Sequence, residues 1–274
     1  MKSSPLVSLD LGTHSTIYAM REDLQKPAGG NKVRRFRAFL DRRPDAERIV
    51  ALSDPGSHTF LVLSKMQSSY PHIKEWIFLE RRAPVTKYQE KNRRHYMNKE
   101  GIFVKTDAFL FQLIKREKYR RRNDLTTYFL GIGGSTNEDP NPFIEAFHEC
   151  ERQISRKTSG LVHHLLPVAS GEMLQGLVEG ANTVSGEHQF TAVYTGDPLG
   201  KHRMEWKWKK TSNVEILHPA GSGEEVEKTI NSFYQATSIR LDPIHTGRAV
   251  HQWMHELPKS LPTVLWITNP YIFG

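Results

Sequence analysis

The run Leu6-Val7-Ser8-Leu9-Asp10-Leu11-Gly12-Thr13-His14-Ser15-Thr16-Ile17-Tyr18-Ala19-Met20 is apolar, breaks at an acidic, glycine and hydroxyl turn, and becomes apolar again. Read as two strands about a turn, it makes a pocket for phosphate and a hydrated cation. Exposed backbone N–H groups and hydroxyls donate to phosphate oxygens, and a carboxylate orders metal-bound water. Asp and Gly are also what a plain hairpin turn selects, so the same residues fit a purely structural turn.

Around this run lies a chain of 274 residues with 38% hydrophobic content, enough to bury the core of one large domain or two smaller ones. No stretch approaches the roughly 20 apolar residues of a membrane span. Asp10 interrupts the first apolar segment, which therefore does not read as a signal peptide, and a cytoplasmic protein is expected. The single cysteine, Cys150, leaves no intrachain disulfide or Cys-clustered metal site and reads as a buried thiol.

The net charge of +8 is unevenly placed: from Arg81 to Arg122 there are 14 Lys or Arg residues against four acidic ones. Lys91, Arg93, Arg94, Lys115, Arg116, Arg120, Arg121 and Arg122 form the densest clusters, with Tyr88, Tyr96 and Tyr119 interleaved. Such a region can neutralise DNA or RNA phosphates and stack on bases. A solvated cationic helix, an anionic protein partner or a membrane surface accounts for the same charge.

Turn residues punctuate the rest. Pro27-Ala28-Gly29-Gly30-Asn31 precedes a basic and apolar alternation over residues 32–39, and Asp54-Pro55-Gly56-Ser57 separates two strand-like runs at 49–52 and 59–63. Residues 103–122 carry an imperfect helical face, 142–154 and 224–234 predict helices, and a further helix falls around 172–178. Residues 161–168 follow the helix at 142–154, and strands are expected at 190–195, 214–217 and 261–268. Another is expected over 202–210, where Met204, Trp206 and Trp208 alternate with charges. The expected fold class is α/β.

A second glycine turn, Gly221-Ser222-Gly223, lies between an apolar strand and a helix, where a nucleotide approaches closely or a strand simply meets a helix. With it the pattern resembles the actin, Hsp70 and sugar-kinase ATPase superfamily, bacterial actin-like proteins above all. Residues 9–16 look like its first phosphate loop and 130–137 like its second. Residues 214–223 are similar to its adenosine motif, and 242–249 to its late helix entry. The resemblance implies a reduced two-lobed actin-like fold with mixed sheets and flanking helices. Its lobes would be 1–125 and 126–244, and 245–274 would return to the first. It also implies magnesium-dependent ATP binding, slow hydrolysis and self-assembly. Asp10 would hold the magnesium-bound water and act in catalysis with Thr13. Gly12, Thr13 and Ser15 would cradle phosphate opposite Gly133, Gly134, Ser135 and Thr136, and Gly221, Ser222 and Gly223 would face adenosine. The second loop departs from the family by offering Gly131 and Asn137 where carboxylates are usual. Asp107 and Glu145 are acidic candidates for positioning water.

A nucleic-acid-binding protein or metal-dependent nuclease is the competing reading. Asp197 with Glu205 and Lys207 on one face of a strand could bind a metal and orient water. His251 and His255, four apart on a helix, reach one metal without a third ligand at diagnostic spacing, and His163-His164, His148 with Cys150, and His14 are equally incomplete.

Overall fold

Strand and helix alternate along the chain and sort into two sheets. The structure, a computed structural model, describes residues 3–12, 16–107, 109–120, 126–136, 138, 141–196, 198–257 and 260–269. Its elements are β1 (Leu6–Leu9), β2 (Ile17–Met20), α1 (Asn31–Asp41), β3 (Arg48–Ser53), α2 (His58–Met66), β4 (Glu75–Arg81), α3 (Lys87–Arg94), β5 (Ile102–Asp107), α4 (Phe109–Arg120), β6 (Thr127–Ile132), α5 (Pro142–Ile154), β7 (Val162–Val168), α6 (Glu172–Ala181), β8 (His188–Tyr194), α7 (Pro198–Trp208), β9 (Val214–Leu217), α8 (Gly223–Thr237), α9 (Thr246–Glu256) and β10 (Thr263–Trp266). Contacts divide the chain into two units. The first comprises Met1–Gln25, Gly29–Asn31 and Asp139–Gly274, and the second Lys26–Ala28 and Lys32–Glu138.

The first unit holds a sheet ordered β1-β2-β10-β7-β8-β9, in which only β1 runs antiparallel. Both faces of its central strands are buried, as parallel strands require. Val264 and Trp266 of β10, Leu166 of β7 and Phe190 of β8 pack with Phe143, Phe147, Leu174 and Leu177 of α5 and α6. The intervening Leu265, Leu165 and Val193 pack with Ile230, Phe233, Val250 and Trp253 of α8 and α9. Two glycines let α5 and α6 approach. A Cβ on Gly176 would stand 2.7 Å from Phe143 Cβ, and one on Gly180 2.8 Å from Phe147 Cβ.

The second unit holds a parallel sheet ordered β5-β4-β3-β6. Val33, Phe36, Phe39 and Leu40 of α1 and Phe60, Leu63 and Met66 of α2 cover one face. Leu113 and Tyr119 of α4 pack on the other, against Val50, Leu52, Ile77 and Leu79. The side chain of Glu80 is fully buried. It is held by Arg93 Nη2 at 2.9 Å, by Tyr96 Oη at 2.6 Å and by Thr106 Oγ1 at 3.1 Å. This network keeps the Arg93 guanidinium charged, chiefly through its hydrogen bond to Glu80. Arg93→Ala is therefore expected to lower unfolding free energy by about 2 kcal/mol, the scale of a hydrogen bond to a buried charge. Exposed Lys91→Ala should stay within about 0.5 kcal/mol. Urea melts of the two variants check the contrast.

Three expected strands are helices. Residues 32–39 lie in α1 and 59–63 in α2, and 202–208 lie in α7, where Met204 and Trp208 are buried one helical turn apart and Trp206 is 82% exposed. Residues 103–107, expected as the start of a helix, lie in β5. Cys150 is buried, and burial pushes its thiol pKa far up. No described helix is long and apolar enough to cross a membrane.

Candidate functional site

In each sheet the chain leaves β7 or β3 in one direction and later returns to its other side, as β10 or β6. The carboxyl ends of strands flanking such a reversal are where open α/β sheets bind ligands.

In the first unit, β7 runs through Ala169-Ser170-Gly171 into α6. Gly171 takes φ +83° as N-cap and supplies no side-chain cap, so the helix meets the loop as an anion-accepting end. Beside it, Asn31 is anchored twice: its backbone N–H donates to Thr268 O at 2.8 Å, and its Nδ2 approaches Met173 Sδ at 3.1 Å. Gly29 and Gly30, both at positive φ, shape the approach to Asn31, and Lys32 is the next residue along the chain. Asn269, just past β10, is 4% exposed. The Oδ1 atoms of Asn31 and Asn269 are buried without a hydrogen-bond partner among the described residues. Asp242 holds the start of α9 by accepting the backbone N–H groups of Ile244, His245 and Thr246 at 3.2, 2.7 and 2.9 Å. From that start Thr246 Oγ1 reaches Thr268 Oγ1 at 3.4 Å.

In the second unit, Ser57 caps α2 at the end of β3 without a side-chain cap bond, and its Oγ is buried with no hydrogen-bond partner among the described residues. The loop before it is fixed. Gly56 N–H donates to Tyr96 Oη at 2.7 Å, Asn92 Nδ2 donates to Gly56 O at 3.0 Å, and Arg81 pairs with Asp54. A Cβ on Gly56 would stand 1.9 Å from Gln89 O, so only glycine fits there. Gly133 and Gly134 turn at the end of β6, where Gly133 O accepts from Thr59 Oγ1 at 2.9 Å.

Within the first unit the described residues expected to surround ATP are not gathered. Asp10 is exposed and accepts the N–H of Gly12 at 3.0 Å, closing a plain turn after edge strand β1. Nothing lies within 4 Å of a Cβ built on Gly12, so no close approach demands that glycine. Gly221, Ser222 and Gly223 lie beyond β9, at the opposite edge of the same sheet. There Ser222 and Glu225 cap α8 reciprocally, so that helix end carries its own carboxylate. Gly133, Gly134, Ser135 and Thr136 belong to the other unit. Asp107 ends β5, and Glu145 on α5 pairs with Arg152 at 3.3 Å. Thr13, His14, Ser15, Arg121, Arg122, Asn137 and Asp197 lie outside the described residues.

The nuclease grouping also dissolves. Residues two apart on a helix point about 200° apart. On α7, Glu205 pairs with His218 at 2.9 Å, and Lys207 donates to Gln175 Oε1 at 2.8 Å. Among the described residues no three His, Cys, Asp or Glu side chains form a metal-binding group. Instead His251 bonds Thr229 at 2.7 Å, and His148 bonds Thr183 at 2.7 Å. The basic residues divide as well: Lys91 and Arg94 are exposed on α3, Arg93 holds Glu80, and Arg116 lies over the Phe129 ring. Lys115 and Arg120 lie on α4.

No protein-family model and no curated protein matches the sequence. Solved structures match its fold. An ACC deaminase homologue gives a TM-score of 0.77 at 18% identity, over 100% of this chain and 91% of that one. A hydrogen sulfide-producing enzyme from Fusobacterium nucleatum gives 0.69 at 11% identity, over 97% and 95% of the two chains. A pyridoxal 5'-phosphate-dependent aspartate racemase gives 0.69 at 13% identity, over 98% and 90%. The shared architecture is the two-domain α/β fold of type II pyridoxal 5'-phosphate (PLP) enzymes. It overturns the actin-like fold, and with it ATP and magnesium as cofactors and the ATPase, nuclease and nucleic-acid-binding readings. The sequence reading singled out as site residues neither Asn31, Asn269 and the Ser170-Gly171 loop of the first unit nor Lys32 and Ser57 of the second. The available signal was a glycine pair running directly into a helix whose second residue is lysine.

Proposed function

We propose that the chain is a PLP-dependent enzyme acting on an amino acid, with Lys32 as the amine that holds the coenzyme's aldehyde. The observation that carries this is Asn31, pinned beside the start of α6 and the end of β10 with lysine as its immediate successor. The residues fit the group. The uncapped start of α6 suits a phosphate, and the side-chain amides of Asn31 and Asn269 each keep one bonding position for ring substituents. Bound PLP supplies an electron-withdrawing ring that stabilises negative charge at the α carbon of an amino acid.

The chain's own residues do the rest. Ser170 and Gly171 with the first turn of α6 hold phosphate, and Asn31 and Asn269 orient the ring. Lys32 Nζ moves the proton at the substrate α carbon.

Reduction of the PLP-loaded protein with borohydride, digestion and mass spectrometry tests the reading. One pyridoxyl adduct on the peptide bearing Lys32 is expected. A folded protein without an adduct, or with adducts scattered over exposed lysines, overturns it.

A further inference from the structure

We infer that the outer edge of β5 docks an acidic protein segment in extended conformation, as an added strand. The second unit carries 24 Lys and Arg against 12 Asp and Glu, so its surface favours an anionic partner. Among the described residues β5 is an edge strand, paired only with β4. Trp76 N–H donates to Gly101 O, a phase in which Phe103 and Lys105 turn their backbone groups to β4. Those of Val104 and Thr106 consequently face the open side.

The side chains around this row supply charge and an apolar anchor. Phe103 is 50% exposed, and exposed Lys105 follows it on the same face, where its amine meets Tyr119 of α4. Exposed Arg82 adjoins the far end of β5 by donating its N–H to Asp107 O at 2.7 Å, and exposed Lys118 lies on α4. Short edge strands are commonly protected by lysine alone. Here a large apolar ring is displayed beside the lysine, and alternate apolar and acidic side chains on an incoming strand match that pair.

The probe is a short fluorescein-labelled peptide alternating Glu and Val, read by anisotropy, beside the same peptide N-methylated on alternate amides. The parent protein should bind the first, more weakly as salt rises, and the second at least about tenfold more weakly. Hydrogen exchange at Val104 and Thr106 should slow on binding. Val104→Pro, a substitution that edge strands accept on their solvent side, should also weaken binding about tenfold. Equal binding of the two peptides by the unaltered protein overturns strand addition and leaves charge attraction alone. Absence of binding at low salt, or unchanged exchange at Val104, overturns the site. Borohydride fixation of PLP reads none of these outcomes, so this inference stands or falls independently of the enzyme assignment.

Discussion

Lys32→Ala is expected to fold and to lose both the borohydride-fixed PLP adduct and amino-acid turnover, the latter by roughly a thousandfold or more, as for removal of a group bonded at the reacting centre. Lys32 is half-buried in the first turn of α1, outside the cores that stabilise its unit, so the loss should not track stability. The comparison is Lys26→Ala, six residues earlier in the same unit, which should keep adduct and turnover. A Lys32→Ala protein that still acquires one adduct at a single other lysine would remove the main assignment. Retained PLP absorbance without a reducible linkage is the expected partial phenotype, because the uncapped start of α6 at Gly171, to which the proposal gives the phosphate, is untouched.

Acid should unfold the first unit through its buried histidines. His163 Nε2 bonds Thr191 at 2.8 Å, and burial pushes the pKa of His163 down to about 4. His164 accepts from Trp266 Nε1 at its Nδ1, 3.3 Å away, which leaves Nε2 to donate to His188 Nδ1 at 3.0 Å. Protonating His164 would set an N–H against the indole N–H, and burial holds its pKa well below the ordinary value, with His188 and His163 adding repulsion. His188 is also lowered by burial, while its Nε2 faces Glu151 at 3.5 Å. These groups are neutral when folded and take up protons once exposed. Their stabilisation is thus complete above pH 6.5, the ordinary histidine value, and is lost as pH falls toward the folded values. For His163 alone the loss approaches about 3 kcal/mol near pH 4. Urea unfolding monitored by Trp266 and Trp253 fluorescence should show the fall between pH 7 and pH 4.5. His163→Val should flatten it by that residue's share, and a stability unchanged over this interval would contradict the account.

Legibility in the sequence followed how local each cause was. Helix α5 was readable because Asn141 and Pro142 mark its start, and α8 because Ser222 and Glu225 form a capping box. Helix α2 was not. Its residues Thr59 to Ser64 are all buried, so no polar face breaks the apolar run into a helical period. In α7 the alternation of Met204, Trp206 and Trp208 mimicked a strand, although one of the three points to solvent. The α/β class was legible because the apolar runs at 162–168 and 214–217 are each followed by turn residues and a helix. The candidate site was hidden for the opposite reason. In the first unit Asn31, Gly171 and Asn269 offer backbone ends and single amides brought near one another by topology, and no two lie close enough in sequence to make a motif. Glycine turns that did look like a motif proved to be a turn at Gly12 and a helix cap at Ser222.

The placement of β10 imposes an order of events on biosynthesis. This strand joins β2 to β7, so β2, made long before it, stays without its parallel neighbour until Thr263–Trp266 have been added. Lys32–Glu138, which holds every strand of its own sheet, needs no such wait. From Glu138 until β10 is made, the nascent chain therefore carries one finished unit and one open sheet. Chaperone dependence and truncation sensitivity should concentrate in the open sheet.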